Sequence, residues 1–236
     1  MNYYAALAKR ARGPVLEYGC GNGRITLAIA HAGVPVVGID LSATMLADLR
    51  RCLRNEPHDL QRRVTLVRGD MRTVRLKRRF PLVICPFNAF LHLYTRRDVE
   101  RFLEKVHQHL EPRGELVLDV SIPEPSELAR KPTRAYRTPP FRYPMPDHPT
   151  GGPIVNYSER FDYDKVRQVL FVAMEFFPKD GSHRWMTPLA HRQFHPSELE
   201  AILHYNGLRI RKTLGDFKGP ADASSTTLVV HCAKKR

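Results

Sequence analysis

Several things are scarce in this sequence, and each shortage removes a class of protein. Its 236 residues hold four cysteines (Cys20, Cys52, Cys85 and Cys232), none of them in a CxxC pair. Isolated thiols with no His/Cys cluster at ligand spacing exclude a disulfide framework and a zinc site, so no metal is expected. The eleven histidines are scattered, and His107 and His109 lie two apart on a predicted helix, hence on different faces. Long hydrophobic runs are missing as well. Ile25 to Val37 is broken by Thr26, His31, Gly33 and Pro35, which rules it out as a bilayer span. The first residues carry Lys9, Arg10 and Arg12 with no apolar stretch or cleavage site, so a cytoplasmic location is expected and no membrane partner.

Acidic residues are the other deficit: 24 Asp and Glu against 38 Lys and Arg, a formal net charge of +14. The excess is local, with eleven basic and three acidic residues between Arg50 and Arg79. A basic stripe can collect a phosphate backbone or attract an acidic small substrate. No aromatic residue interleaves these arginines to stack bases, which favours a solvated basic face over a nucleic-acid track.

What the sequence does contain is an alternation of short apolar runs and amphipathic segments, the mark of a parallel sheet with crossover helices. Strands are expected at Pro14–Tyr18, Pro35–Asp40, Val64–Arg68, Pro81–Pro86 and Glu115–Val120. A helix follows the first glycine turn to about Ala32. A second is capped by Ser42 and carries Met45, Leu46 and Leu49, and a third runs from Arg97 to Leu110 before the Glu111–Gly114 turn. Ser121 to Pro153 then holds nine of the nineteen prolines and is expected as an irregular excursion. Three strands of an antiparallel meander (154–164, 167–177, 184–194), a helix from Pro196 to Tyr205 and two closing strands (208–214, 226–233) complete the chain. The expected fold class is α/β, doubly wound, with a small antiparallel β insertion after strand five. Residues 1–120 form the cofactor-binding core, 121–194 the substrate-binding excursion and meander, and 195–236 complete the core.

Chemistry concentrates at the ends of the first three strands. Val15-Leu16-Glu17-Tyr18-Gly19-Cys20-Gly21-Asn22-Gly23-Arg24 is a glycine turn between strand and helix, where backbone can approach a ligand and the helix offers free amides. Its spacing is E-x-G-x-G-x-G, not the G-x-G-x-x-G of dinucleotide binders, and no Lys-Ser/Thr follows as in phosphate loops. Glu17 inside the strand would repel a pyrophosphate and tolerate a cation. Asp40, seventeen residues past Gly23, ends strand two, where a carboxylate can accept both hydroxyls of a ribose. Asp70, in Gly69-Asp70-Met71-Arg72, can accept an adenine amino hydrogen while Met45 and Met71 flank the ring. Taken singly, Asp40 reads equally as a helix cap, Asp70 as a turn residue and Met45 as core. All in order at successive strand ends point to one adenosine cradle.

With these elements the chain resembles the class I, Rossmann-like S-adenosylmethionine (SAM)-dependent methyltransferases, nearest to the small-molecule branch of glycine/sarcosine and sugar-amine N-methyltransferases. The resemblance implies a mostly parallel seven-stranded sheet whose last strand is antiparallel. It implies SAM as cofactor, S-adenosylhomocysteine as product and no metal. It assigns the cofactor to Glu17, Gly19, Cys20, Gly21, Gly23, Asp40, Leu41, Met45, Asp70, Met71, Cys85 and Pro86, with Gly19 and Gly21 at the methionine part. Cys85-Pro86-Phe87-Asn88-Ala89-Phe90-Leu91-His92-Leu93 resembles the family's lining beside the sulfonium. Arg192 to Leu199 and Gly215-Asp216-Phe217 resemble its C-terminal pattern. One departure is the short lead before strand one, where Tyr3 and Tyr4 read either as the remnant of a lid or as aromatics on the sheet edge.

For the chemistry itself, Asn88, His92 and Tyr94 are the candidates near the transferring methyl, with Asp119 and Ser121 at the end of strand five. His92 reads as a general base or as a histidine at a helix start. Tyr136, Arg137, Arg142, Tyr143, Tyr157 and Arg160 are the candidates for reading the substrate. A guanidinium at Arg160 suits a carboxylate, or equally a cross-strand salt bridge. The expected reaction is N- or O-methylation of a small molecule. The alternatives are a methyltransferase of RNA or another nucleic acid and a catalytically silent SAM-binding module. Against the former, Cys85-Pro86-Phe87-Asn88 is not the Asn/Asp-Pro-Pro-aromatic run of amino methyltransferases of bases. Monomer and homodimer are both open.

Overall fold

The computed structural model describes residues 2–143 and 152–235, in two compact units. The first comprises residues 2–122 and 194–235. Its strands are β1 (Val15–Tyr18), β2 (Val36–Asp40), β3 (Val64–Arg68), β4 (Phe80–Cys85), β5 (Leu110–Ser121), β10 (Leu208–Gly215) and β11 (Thr227–Lys234). They form one sheet in the order β10-β11-β5-β4-β1-β2-β3. β1 pairs in parallel with both β2 and β4, while β11 is antiparallel to β5 and to β10. The chain therefore reverses its direction of travel across the sheet between β1 and β4. The carboxyl ends flanking that switch open a crevice, the usual ligand position in such folds.

Period-two burial explains which layer each helix occupies. Leu16, Tyr18, Val37, Ile39, Val83, Leu116 and Leu118 face one side, where they meet Phe102 and Leu103 of α5 (Arg96–His109) and Leu199 and Leu203 of α7 (Pro196–Tyr205). Val15, Val36, Leu82, Ile84 and Val117 face the other, under α1 (Asn2–Ala11) and α2 (Arg24–His31). α3 (Ala43–Arg54) packs through Leu46 and Leu49, and Ser42 caps it by accepting the Met45 amide. A single turn, α4 (His58–Gln61), precedes β3.

Three local features differ from the sequence expectation. The lead before β1 is a helix: α1 buries Tyr4, Leu7 and Ala8, an apolar stripe at helical spacing. The expected turn at Glu111–Gly114 is instead an irregularity within β5, whose pairing shifts register between Phe80–Leu110 and Leu82–Glu115. The proline-rich excursion, of which residues 144–151 lie outside the described part, contains a single turn α6 (Pro125–Leu128) and strand β6 (Tyr136–Arg142). Proline permits β6 because it is an edge strand, and its register shifts between Thr138 and Phe141, across Pro139 and Pro140.

The second unit, residues 123–193, is a four-stranded antiparallel sheet of β6, β7 (Ile154–Asp164), β8 (Val169–Pro178) and β9 (Trp185–Arg192) in sequence order. Phe161, Leu170 and Val172 form its apolar cluster with Leu128, Tyr136 and Leu189 packed against them. Tyr157, Phe176 and Trp185 lie directly opposite one another across three strands.

Candidate active site

The glycine turn leaves β1 and is stitched to β2. The amides of Gly19 and Cys20 both donate to the Ile39 carbonyl, at 2.8 and 3.0 Å. Gly21 and Gly23 need glycine for separate reasons. Both have positive φ, +53° and +92°. A Cβ on Gly23 would sit 2.1 Å from Leu49 Cδ1, so this glycine lets α2 and α3 close together. A Cβ on Gly21 would meet nothing within 4 Å: that surface of the turn is open for a ligand.

Asp40 ties the turn to the next helix. Its Oδ2 accepts the Gly21 amide at 2.7 Å and its Oδ1 the Ser42 amide at 2.8 Å. Each oxygen keeps a further lone pair for a hydroxyl. Glu17 is buried, and Thr26 Oγ1 donates to it at 2.6 Å, which locks β1 to the first turn of α2. Burial pushes its carboxyl up to about 8, and the nearby Asp40 charge adds to the effect. Glu17 is thus neutral at pH 7 and orders the turn from beneath.

Beside the turn lies a cavity of about 350 Å³ whose wall includes Gly19, Asp40, Leu41, Asp70, Met71 and His92. Ile39, Gly69, Arg72, Ala89 and Tyr94 complete it. Leu41, 63% exposed, offers an unburied apolar surface there. The Asp70 carboxylate is engaged: Arg72 donates to Oδ2 through Nη2 at 2.6 Å and to Oδ1 through its backbone amide at 2.8 Å. The Arg72 hydrogen bonds hold Asp70 below the usual carboxylate range. Arg72 also bonds Asp98 at 2.6 Å, and Asp98 closes a capping box with Thr95 at the start of α5. Neither Arg72 nor Asp98 was singled out from sequence as a site residue; the signal available was the Thr95-x-x-Asp98 spacing.

The remaining cofactor candidates occupy varied positions. Met45 is half exposed on α3 and is not part of the cavity wall, whereas Met71 is. Cys20 is buried against Leu46 and Leu49, Cys85 is buried at the end of β4, and Pro86 is buried after it. Burial pushes both thiols up, so neither is a nucleophile.

Asn88, placed from sequence near the methyl, spends its amide on β5. Nδ2 donates to Ser121 Oγ at 2.9 Å, and Oδ1 accepts the Ser121 amide at 2.7 Å. Asp119, beside it, accepts from the Tyr4 hydroxyl and from the Asn88 amide. Burial raises its carboxyl despite these bonds. Tyr3 pairs with His231 Nε2 at 2.6 Å, so α1 is anchored to β5 and β11 by its two tyrosines. His92 and Tyr94 are both exposed, and His92 Nδ1 is 3.4 Å from the Tyr94 hydroxyl.

The candidates in the second unit divide. The Tyr136 ring packs on Phe161 and carries Arg130 at 4.6 Å. Arg142 donates to the Gly152 carbonyl, Tyr157 to Glu159, and Arg137 is exposed on β6. Tyr143 stacks edge-on against Phe176 and Trp185. Arg160 pairs with Glu175 at 2.9 Å. Among the described residues no group of three or more metal-ligating side chains gathers, and no helix is long and apolar enough to cross a membrane.

Residues 15–114 match the family model described as "Methyltransferase domain". Over 118 residues the chain is 35% identical to dTDP-3-amino-3,6-dideoxy-alpha-D-glucopyranose N,N-dimethyltransferase of Streptomyces fradiae, covering 49% of this chain and 43% of that protein. Over 115 residues it is 32% identical to glycine/sarcosine N-methyltransferase of Halorhodospira halochloris, covering 48% and 41%. The matches thus span less than half the length of these curated relatives. The solved structure of the CcbJ methyltransferase from Streptomyces caelestis superposes with a TM-score of 0.83 at 24% identity, over 99% of this chain and 89% of that one. Residues 15–114 are therefore similar to a methyltransferase domain, and the chain has the fold of the CcbJ methyltransferase.

Proposed function

We propose that the chain transfers the methyl group of SAM to the nitrogen or oxygen of a small molecule by in-line displacement. The observation that carries this reading is the cavity beside the glycine turn, on whose wall Gly19, Asp40 and Asp70 stand at or just after the ends of three successive strands. Asp40 suits the ribose hydroxyls, Asp70 with Leu41 and Met71 the adenine, and Gly19 to Gly21 the methionine part. When bound, the cofactor supplies an already activated methyl on a charged sulfur. The protein's own task is then to orient an acceptor in a dry space and to receive its proton. In this reading His92, which lines the cavity, takes that proton, and the Tyr94 hydroxyl beside it relays it. Asn88 acts by shaping the turn after β4.

Amino-sugar and amino-acid methylation by the relatives named above supports a small acceptor. In this reading Tyr136, Arg137, Arg142, Tyr157 and Arg160 of the second unit contribute to acceptor binding, and the enzyme works in the cytoplasm as a monomer or homodimer. Titration calorimetry with SAM and S-adenosylhomocysteine, paired with an assay for S-adenosylhomocysteine released in the presence of amino sugars and small amines, tests the whole reading. Saturable binding of both and acceptor-dependent release are expected. Absence of binding by the folded protein would sink it; binding without release from any acceptor would leave a silent module.

A further inference from the structure

Among the described residues, six that are not glycine adopt left-handed backbone: Arg12, Phe87, Asn88, Gln168, Asp216 and Phe217. Four of the six form two adjacent pairs, each a phenylalanine beside an Asn or Asp. Such backbone is costly for a bulky residue and persists where surrounding bonds over-determine it, commonly at functional sites. Those bonds are present. Asn88 is locked to Ser121 by two hydrogen bonds, and Asp216 Oδ1 accepts both the Thr227 amide and the Thr226 hydroxyl at 2.9 Å.

Both strained phenylalanines serve the same space. With Asn2, Tyr3 and Tyr4 they line a second cavity of about 410 Å³. Phe87 is 52% exposed, so core packing does not account for its placement. Phe217 meets Tyr3 edge-on at 5.3 Å and Tyr4 at 6.1 Å. Among the described residues, the cavity wall has four aromatic rings and no charged side chain. Behind the rings stand carboxylates: Asp119 takes the Tyr4 hydroxyl, and Glu115 bonds His231, which bonds Tyr3. Phe87 already carries a cation on its ring, the Arg24 guanidinium at 4.8 Å. The turn that bears Phe87 also bears Ala89, on the wall of the cofactor cavity.

We propose that this aromatic cavity receives the amine end of the methyl acceptor as its ammonium; that nitrogen loses one proton to water before its lone pair attacks the methyl, and the methylated product is again a cation. The site rests on the methyltransferase reading for its purpose and on Phe87 and Phe217 for its selectivity. π faces attract an organic cation, and a methylated amine product is itself cationic, so the same walls suit both.

The test uses the full chain saturated with S-adenosylhomocysteine and two probes of similar shape, tetramethylammonium and tert-butyl alcohol, followed by saturation-transfer NMR. Tetramethylammonium is expected to bind at least about fivefold more tightly than the alcohol, with transferred contacts to aromatic protons. Phe87→Leu and Phe217→Leu keep apolar bulk and remove the π face. Each is expected to lose about fivefold in tetramethylammonium affinity. In Phe217→Leu, S-adenosylhomocysteine affinity should stay within about threefold, since that ring is not on the cofactor-cavity wall. Equal binding of the two probes, or no loss in the leucine variants, overturns the proposal. So does mutual exclusion of tetramethylammonium and S-adenosylhomocysteine, which would assign the cavity to the cofactor's own ammonium end. Contacts in the wild-type protein decide the matter even if a variant fails to fold. A protein that binds S-adenosylhomocysteine and ignores tetramethylammonium loses only this inference; one that binds neither loses the methyltransferase reading too.

Discussion

At the residue scale, the site depends on two carboxylates in opposite electrostatic situations. Asp40 is partly buried and accepts two backbone amides, so it both shapes the turn and offers oxygen to a ligand. Asp40→Asn removes the charge and replaces one acceptor with a donor. Calorimetry is expected to show S-adenosylhomocysteine binding weakened by roughly 10- to 100-fold, the value of charge-assisted bonds at one carboxylate. A change below threefold would mean the ribose does not lie there. Glu17 is the contrary case. Its carboxyl titrates near 8 in the fold against an ordinary value of 4.5. Between those values the unfolded chain has released the proton and the folded chain still holds it, so stability falls as pH rises from about 4.5 to about 8. Glu17→Gln lacks this penalty and can still accept from Thr26. Its melting temperature relative to wild type should therefore rise between pH 5 and pH 8. Parallel pH profiles would show that Glu17 is ionised in the fold.

At the element scale, the decisive contact is the approach of α2 to α3 at Gly23. Alanine there meets left-handed backbone and a 2.1 Å clash with the buried Leu49 side chain. A loss of about 2–4 kcal/mol is expected in chemical denaturation, from strain plus overpacking. Gly21→Ala has the same handedness and open space. It should cost only about 1–2 kcal/mol in stability and show its main effect on cofactor affinity. If both variants lost stability equally, the open face of the turn would not be a binding surface. α1 is a further element whose place is set by distant partners: Tyr3 bonds a residue 228 positions away and Tyr4 one 115 away.

At the scale of the whole molecule, the charge of +14 separates binding from catalysis. Part of the basic run is neutralised locally: Arg51 pairs with Asp48, Arg63 with Asp59 and Arg72 with Asp70 and Asp98. The remainder is expected to retain RNA on a column at 50 mM salt and to release it by about 300 mM, through counterion release alone. Incubation of that RNA with labelled SAM is expected to leave it unlabelled. Labelled RNA would replace the small-molecule reading with the nucleic-acid one.

The alternation of strand and helix, the E-x-G-x-G-x-G turn, Asp40 and Asp70 were legible in the sequence because each acts within a few residues of a strand end. There backbone geometry alone dictates what side chain can stand. The antiparallel meander was legible for the same reason, from period two and its turns. Tertiary structure decided what depends on rotation about a helix axis or on distant partners. Met45, expected beside the ring, is half exposed, and Leu41 lies on the cavity wall. Asp70 meets its arginine, Tyr4 finds Asp119, and Phe87 and Phe217 converge from loops 130 positions apart on one space. Local propensity carries no record of such meetings; they exist only once apolar burial has closed both faces of the sheet.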